Sequence, residues 1–167
     1  MSQTYTSAAT SVNRSRLPAV YSRAPITKGD VVLDYGCGRY VDHIRKAVTS
    51  AGSVYLAYDK YNQSPETNST SMDVVKRLTA IGTPVTVVCS NVLNVIDNET
   101  EIAYIAARIL GIVRRTGGKA YITVYEGDRS GTGRQTGPDQ YQRNSPLRDY
   151  LRFFAGATVH NGMIVVS

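Results

Sequence analysis

Short apolar runs alternate along this chain with longer segments whose apolar positions recur every three or four residues. Val31-Val32-Leu33, Val54–Tyr58 (VYLAY), Val85–Cys89 (VTVVC) and Ala120–Tyr125 (AYITVY) read as strands buried on both faces. Val41–Ser50 is amphipathic at helical spacing. A second helix is expected from about Met72 to Ile81, with Ser71 and Asp73 at its start and Gly82 at its end. Glu99–Arg115 puts Ile102, Ile105, Ala106, Ile109, Ile112 and Val113 on one face. Strands alternating with helices predict a Rossmann-like α/β fold: a doubly wound, mainly parallel sheet in a three-layer αβα arrangement.

The C-terminal part breaks that rhythm. Pro146–Phe154 reads as a helix with Leu147, Tyr150, Leu151 and Phe154 turned inward. Ala157–Val166 carries Asn161-Gly162 between strand-like runs, which predicts an antiparallel hairpin closing the sheet. Two polar stretches are expected as loops, Lys60–Ser71 and Glu126–Asn144 (EGDRSGTGRQTGPDQYQRN). The second leaves a central strand at the edge where α/β sheets bind ligands, and it reads as a substrate-facing lid. Residues 1–25 are expected as a basic, Ser/Thr-rich arm, mobile over Met1–Ser15, with a short helix near Leu17–Tyr21. Residues 26–167 are expected as one domain.

The chemistry concentrates around Asp30–Tyr40 (DVVLDYGCGRY). Asp34 ends the first strand, and Gly36-Cys37-Gly38 makes a side-chain-poor turn before the first helix. Asp59 ends the second strand, about 20 residues on, where an acidic residue is placed to hold ribose hydroxyls. Position 41 is Val, so the third glycine of a dinucleotide-binding G-x-G-x-x-G is missing. That weighs against a nicotinamide-dependent oxidoreductase.

Charge and cysteines change the picture modestly. The net charge of +6 permits a polyanionic partner, DNA or RNA, without requiring one. The two cysteines, Cys37 and Cys89, form neither a disulfide framework nor a metal-ligand spacing, and no metal is expected. No apolar run approaches the ~20 residues needed to span a bilayer, and no leader is expected. The expected setting is the reducing cytoplasm.

The D-x-G-x-G of Asp34, Gly36 and Gly38, with Asp59 closing the second strand, resembles the class I S-adenosylmethionine-dependent methyltransferases. The block from Val85 through SNVLNVID and the long helix to GGKAYITVYE resembles the fourth and fifth strands of the same superfamily. Together the two pieces cover about residues 28–126. The text YGCGR…NVLNVI is similar to methyltransferases associated with DNA modification. The resemblance implies S-adenosylmethionine as cofactor, with Asp34 near its amino acid end, Tyr35, Gly36, Cys37 and Gly38 under it, and Asp59 on its ribose. It also implies that Ser90 and Asn91 face cofactor or substrate. The expected reaction is methyl transfer to a nucleic acid or a nucleotide.

Several departures accompany the resemblance. The interval 59–84 is too short for another strand and helix, so the third strand is expected to be reduced or missing. Ser90-Asn91-Val92-Leu93 stands where an amine methyltransferase carries an Asp/Asn-Pro-Pro-aromatic motif, and Cys89 has no adjacent proline. Tyr40 occupies a position where many relatives carry a small residue. Glu126, ending the fifth strand of that scheme, and Asn91 are the candidate catalytic residues. Arg129, Arg134 and Arg143 are candidate phosphate contacts, and Tyr141 a candidate base-stacking ring. His160 is expected at the surface. A non-catalytic cofactor- or nucleic-acid-binding protein is the alternative.

Overall fold

The computed structural model describes residues 3–167. Four parallel strands form its centre: β1 (Val31–Tyr35), β2 (Val54–Tyr58), β3 (Thr86–Ser90) and β4 (Lys119–Thr123). Two more strands, β7 (Thr158–His160) and β8 (Met163–Val166), complete a mixed six-stranded sheet of order β2-β1-β3-β4-β8-β7, with β8 antiparallel to β4. Leu33 sits level with Leu56 on one side and Val87 on the other, so the apolar centres of the strands align. Alternation along each strand then sorts the core into two clusters. Leu33 and Val87 pack with Ile102, Ile109 and Val113, whereas Val32 and Val88 pack with Val20, Ile44 and Val48.

The connections explain where a site can form. From β1 the chain passes through α2 (Asp42–Ser50) to β2, then through α3 (Pro65–Ala80) back across β1 to β3. The strand order therefore reverses between β1 and β3. A crevice opens beyond the carboxyl ends of strands at such a reversal. A short helix, α1 (Val20–Arg23), precedes β1, and α4 (Glu99–Thr116) joins β3 to β4. Asn98 caps α4, its side chain accepting from Thr100 N at 2.8 Å, and Gly117 ends it in the left-handed region, φ 67°.

Two polar stretches depart from the expected loops. Helix α3 starts at Pro65, well before Met72, because Ser64 accepts the Thr67 N–H at 3.1 Å and Pro65 occupies the first helical position. That position needs no N–H and suits the fixed φ of proline. Asp73 consequently lies inside the helix. The interval 59–84 holds this helix and no strand. Within 126–144, β5 (Arg134–Gly137) and β6 (Gln140–Gln142) pair around Pro138-Asp139 as a separate antiparallel hairpin.

The C-terminal hairpin forms as expected, with Asn161 at φ 50° and Gly162 at φ 69°, the positive values that a tight two-residue turn requires. Leu147–Phe153 is a 3-10 helix that buries Leu147 and Tyr150. The N-terminal segment, expected as a mobile arm, lies along the body with Ser7 buried. Met1 and Ser2, which belong to that expectation, lie outside the described residues. Among the described residues no helix is long and apolar enough to cross a membrane.

Candidate functional site

A cavity of about 680 Å³ opens at the strand-order reversal. Its floor is the turn after β1. Gly36 and Gly38 both have positive φ, 81° and 75°, and a Cβ on either would collide, with Val92 under Gly36 and with Ser11 over Gly38. Both positions therefore need glycine for conformation and for space. The turn is tied to β2, because the N–H groups of Gly36 and Cys37 donate to Tyr58 O at 2.7 and 3.1 Å.

Asp59 is the pivot of the floor. Its carboxylate accepts N–H groups from Gly38 (2.9 Å), Tyr61 (2.9 Å) and Asn62 (2.8 Å). A carboxylate has about four lone-pair sites, so one acceptor position is left beside the cavity that Asp59 lines. Asn68 of α3 braces the same point, exchanging two hydrogen bonds with the Asp59 backbone at 2.9 Å each. The early start of α3 is what brings Asn68 there.

Asp34 is placed differently from the other predicted residues. It is fully buried behind the turn and does not line the cavity. Its carboxylate accepts the Tyr55 hydroxyl at 2.8 Å. Tyr21's buried hydroxyl approaches the same group without making a hydrogen bond of good geometry. Burial raises the Asp34 pKa to about 6, opposed by the hydroxyls of Tyr21 and Tyr55 and reinforced by the charge of Asp59. Tyr35, Gly36, Cys37, Gly38, Ser90 and Asn91 do line the cavity. Burial, and then Asp34 and Asp59, push the Cys37 thiol far up.

One wall contains residues that sequence reasoning missed. The rings of Tyr35 and Tyr58 lie 4.7 Å apart, tilted by 34°. The Arg108 guanidinium lies over both, 5.6 and 5.3 Å from their centroids, and 5.8 Å from Tyr104. Its Nη1 also donates to the Tyr58 hydroxyl at 3.2 Å. The signal was available: Tyr104 and Arg108 are one turn apart on the polar face of α4, opposite the aromatic end of β2. Such a wall suits a flat ring.

Asn91 connects this cavity to a second one of about 550 Å³, for it lines both. It adopts the left-handed conformation, φ 56°, held by its N–H on Thr123 O at 2.9 Å. Its exposed carboxamide has no hydrogen-bond partner among the described residues. Strain of this kind collects at functional sites, and Asn tolerates it better than most residues. The second cavity is also lined by Asn94, Tyr125, Asp128, Arg134 and Tyr141.

The remaining candidates separate. Arg134 and Tyr141 face the second cavity, whereas Arg129 and Arg143 do not. Arg143 braces the chain, donating to Ile96 O (3.2 Å), Asp97 O (3.0 Å) and Glu99 (3.2 Å). Glu126 lines neither cavity. It accepts Leu147 N at 2.7 Å and Arg129 Nε at 2.5 Å, and the Leu147 N–H chiefly holds its carboxyl below the usual range. Those bonds favour a permanent carboxylate over a proton-accepting base.

The N-terminal segment roofs the first cavity. Thr4 N donates to both oxygens of Asp97 at 3.1 Å, and Thr6 N and hydroxyl donate to Asp139. Ser7 Oγ donates to Val95 O (3.0 Å) and accepts Tyr141 N (3.2 Å). Tyr5 stacks on Tyr141 with ring planes 8° apart. Ser11 Oγ accepts Arg39 N at 2.7 Å, directly over Gly38.

No protein-family model matches the chain, and no curated protein matches it at a significant level. The site is a roofed cavity with a cationic aromatic wall, one carboxylate on its floor, and an unpartnered carboxamide at the passage to a second, polar cavity.

Proposed function

We propose that the protein is an S-adenosylmethionine-dependent methyltransferase acting on a nucleic acid or a nucleotide. The observation that carries the reading is the meeting of two cavities at Asn91, beside a glycine turn and a strand-end carboxylate at the order reversal of a parallel sheet. A group-transfer enzyme needs two such compartments in contact. The interval 59–84, with a helix and no strand, fits a trimmed member of the methyltransferase superfamily, as does the antiparallel hairpin that closes the mainly parallel sheet.

The cofactor supplies the reactive sulfonium methyl group, and the chain supplies alignment and a dry site. Asp59 offers its remaining acceptor position to ribose hydroxyls. Tyr35, Tyr58 and Arg108 present a flat surface for the purine, and the Gly36–Gly38 turn allows close approach. Asp34, buried behind the turn, ties β1 to β2 through the Tyr55 hydroxyl. The Asn91 carboxamide orients the acceptor, and Thr4–Ser11 exclude water. Arg134 and Tyr141 flank the acceptor cavity.

Calorimetric titration with S-adenosylmethionine and its demethylated product tests the reading. Micromolar binding, about −8 kcal/mol, followed by label transfer to nucleic acid or nucleotide, is the expected result. No binding up to millimolar cofactor overturns it. Binding without turnover is the second reading, favoured by the engagement of Glu126 with Leu147 and Arg129. Cofactor binding with no labelled acceptor selects it.

A further inference from the structure

The net positive charge of this chain is unevenly placed, because acidic residues are sparse in its first third. Residues 1–58 hold seven of its nineteen Lys and Arg residues but three of its thirteen acidic ones, and Asp34 among those is buried. The four ion pairs among the described residues use Lys60, Arg129, Arg143 and Arg152. Arg14, Arg16, Arg39, Arg45 and Lys46 take part in none, and Asp42 is the one acidic residue between Tyr35 and Tyr58. Exposed like charges repel one another and gain nothing from folding together.

Two of these cations flank one aromatic ring. The Arg14 guanidinium lies 4.9 Å and that of Arg39 6.0 Å from the centroid of Tyr40. Arg16, two residues after Arg14, is anchored by its carbonyl 3.2 Å from His43 Nε2. Arg16 and Tyr40 line the first cavity, so this face borders its mouth. In the 126–144 segment, by contrast, Arg129 is neutralised by Glu126 and Arg143 by Glu99 of α4.

We propose that Arg14, Arg16, Arg39 and Tyr40 form a binding surface for single-stranded nucleic acid. The arginines contact successive phosphates, and an unpaired base extends the Arg14–Tyr40 stack on the guanidinium plane. A guanidinium pair flanking a ring matches a strand with alternating anionic and planar groups, which an anionic lipid surface does not offer. Placing the surface beside the cavity rests on the proposed methyl transfer to nucleic acid. The binding itself does not.

The test is a fluorescence-anisotropy titration of the full chain with a labelled single-stranded oligonucleotide, without cofactor, over a range of salt. R14A/R39A is expected to weaken binding about 10-fold or more and to reduce the salt slope by about 1.4, the value for two phosphate contacts on a single strand. Y40A is expected to weaken binding roughly 5-fold or more with the slope unchanged. R114A/R115A removes the same charge from the exposed end of α4 at the opposite edge of the sheet, and is expected to change affinity less than about 2-fold. Equal losses in the two double variants overturn the proposal. So does absence of binding by the native chain, or an Arg14/Arg39-dependent preference for phosphatidylserine vesicles over the oligonucleotide. Oligonucleotide binding that depends on Arg14 and Arg39, together with a negative cofactor titration, keeps the surface and rejects only methyl transfer.

Discussion

The Asp59 carboxylate accepts the backbone N–H of Gly38 at 2.9 Å, joining the turn after β1 to the end of β2 across 21 residues of sequence. One side chain thus sets the shape of the cavity floor, and under the proposed function its remaining acceptor position takes a ribose hydroxyl. Asp59→Ala removes three charge-assisted hydrogen bonds, each worth about 1.5–3 kcal/mol. It is expected to lower stability by about 3 kcal/mol or more in urea denaturation. Asp59→Asn keeps one acceptor oxygen and is expected to remain folded while losing at least about 10-fold in cofactor affinity, equivalent to 1.4 kcal/mol. Unchanged affinity in a folded Asp59→Asn chain rejects the ribose assignment.

Asp34 is expected to leave a pH signature. Its folded pKa, about 6, lies above the ordinary 3.8. Between those values the folded chain binds more protons than the unfolded chain, so this residue's contribution to stability falls as pH rises from ~4 to ~6. It is level below that window and above it. The loss amounts to about 3 kcal/mol for a shift of this size. Asp34→Asn still accepts the Tyr55 hydroxyl and carries no charge. It is expected to match the native chain near pH 4 and to exceed it in stability at pH 8. Urea midpoints of both chains at the two pH values check this. A constant difference across the range shows that the Asp34 carboxylate is not perturbed.

The framework of the fold was legible because it is written in local periodicity. The strands at Val31, Val54, Thr86 and Lys119, helix α4 and the Asn161-Gly162 turn all follow from apolar spacing and turn chemistry. The glycine turn and Asp59 were legible as a motif, and Asn91 from its place after β3. The early part of α3 was not, although Ser64-Pro65 is a helix start, because Thr67–Ser71 carries no apolar stripe. Hairpin β5–β6 was hidden by glycines that read as a loop, while Pro138-Asp139 marked its turn. The docked N-terminus had no local signal at all. Thr4–Asp97 and Thr6–Asp139 are side chain to backbone bonds across 93 and 133 residues, which no periodicity encodes. The same holds for Glu126, whose partner Leu147 N lies beyond the hairpin.

Those long-range bonds predict how the roof opens. Asp97 and Asp139 are the carboxylates that hold Thr4 and Thr6. Asp97→Ala with Asp139→Ala is expected to raise amide hydrogen exchange over residues 4–11 by about 10-fold or more, since each lost bond contributes about 1 kcal/mol. Amides of β1, β3 and β4 are expected to keep their protection. Equal acceleration throughout shows instead that the N-terminal segment is part of the cooperative core.

The thiols offer a simpler check. Cys89 is buried, and burial raises its pKa as it does that of Cys37. Thiolate is the reactive species, so both are expected to react with a disulfide reagent at pH 8 much more slowly than a free cysteine, and rapidly in denaturant. Cys37, which lines the cavity, is expected to react before Cys89. Rapid native labelling of Cys37 shows instead that the cavity floor opens to solvent in the folded chain.

Asn91 and Glu126 divide the catalytic question between them. Under methyl transfer, the Asn91 carboxamide stands where both cavities meet, with no partner of its own. Asn91→Ala is expected to lower kcat by about 100-fold, as loss of an orienting polar group does, with cofactor affinity within a few fold. Glu126 is bound to Leu147 and Arg129. Glu126→Gln retains an acceptor for Leu147 N–H and loses the ion pair, so it is expected to lower stability by about 1–2 kcal/mol and leave kcat within about 5-fold. Single-turnover transfer assays on both variants decide the matter. A collapse of kcat in Glu126→Gln with a bell-shaped pH profile flattened on its acid side restores Glu126 as the base, because only a proton-accepting role produces that profile.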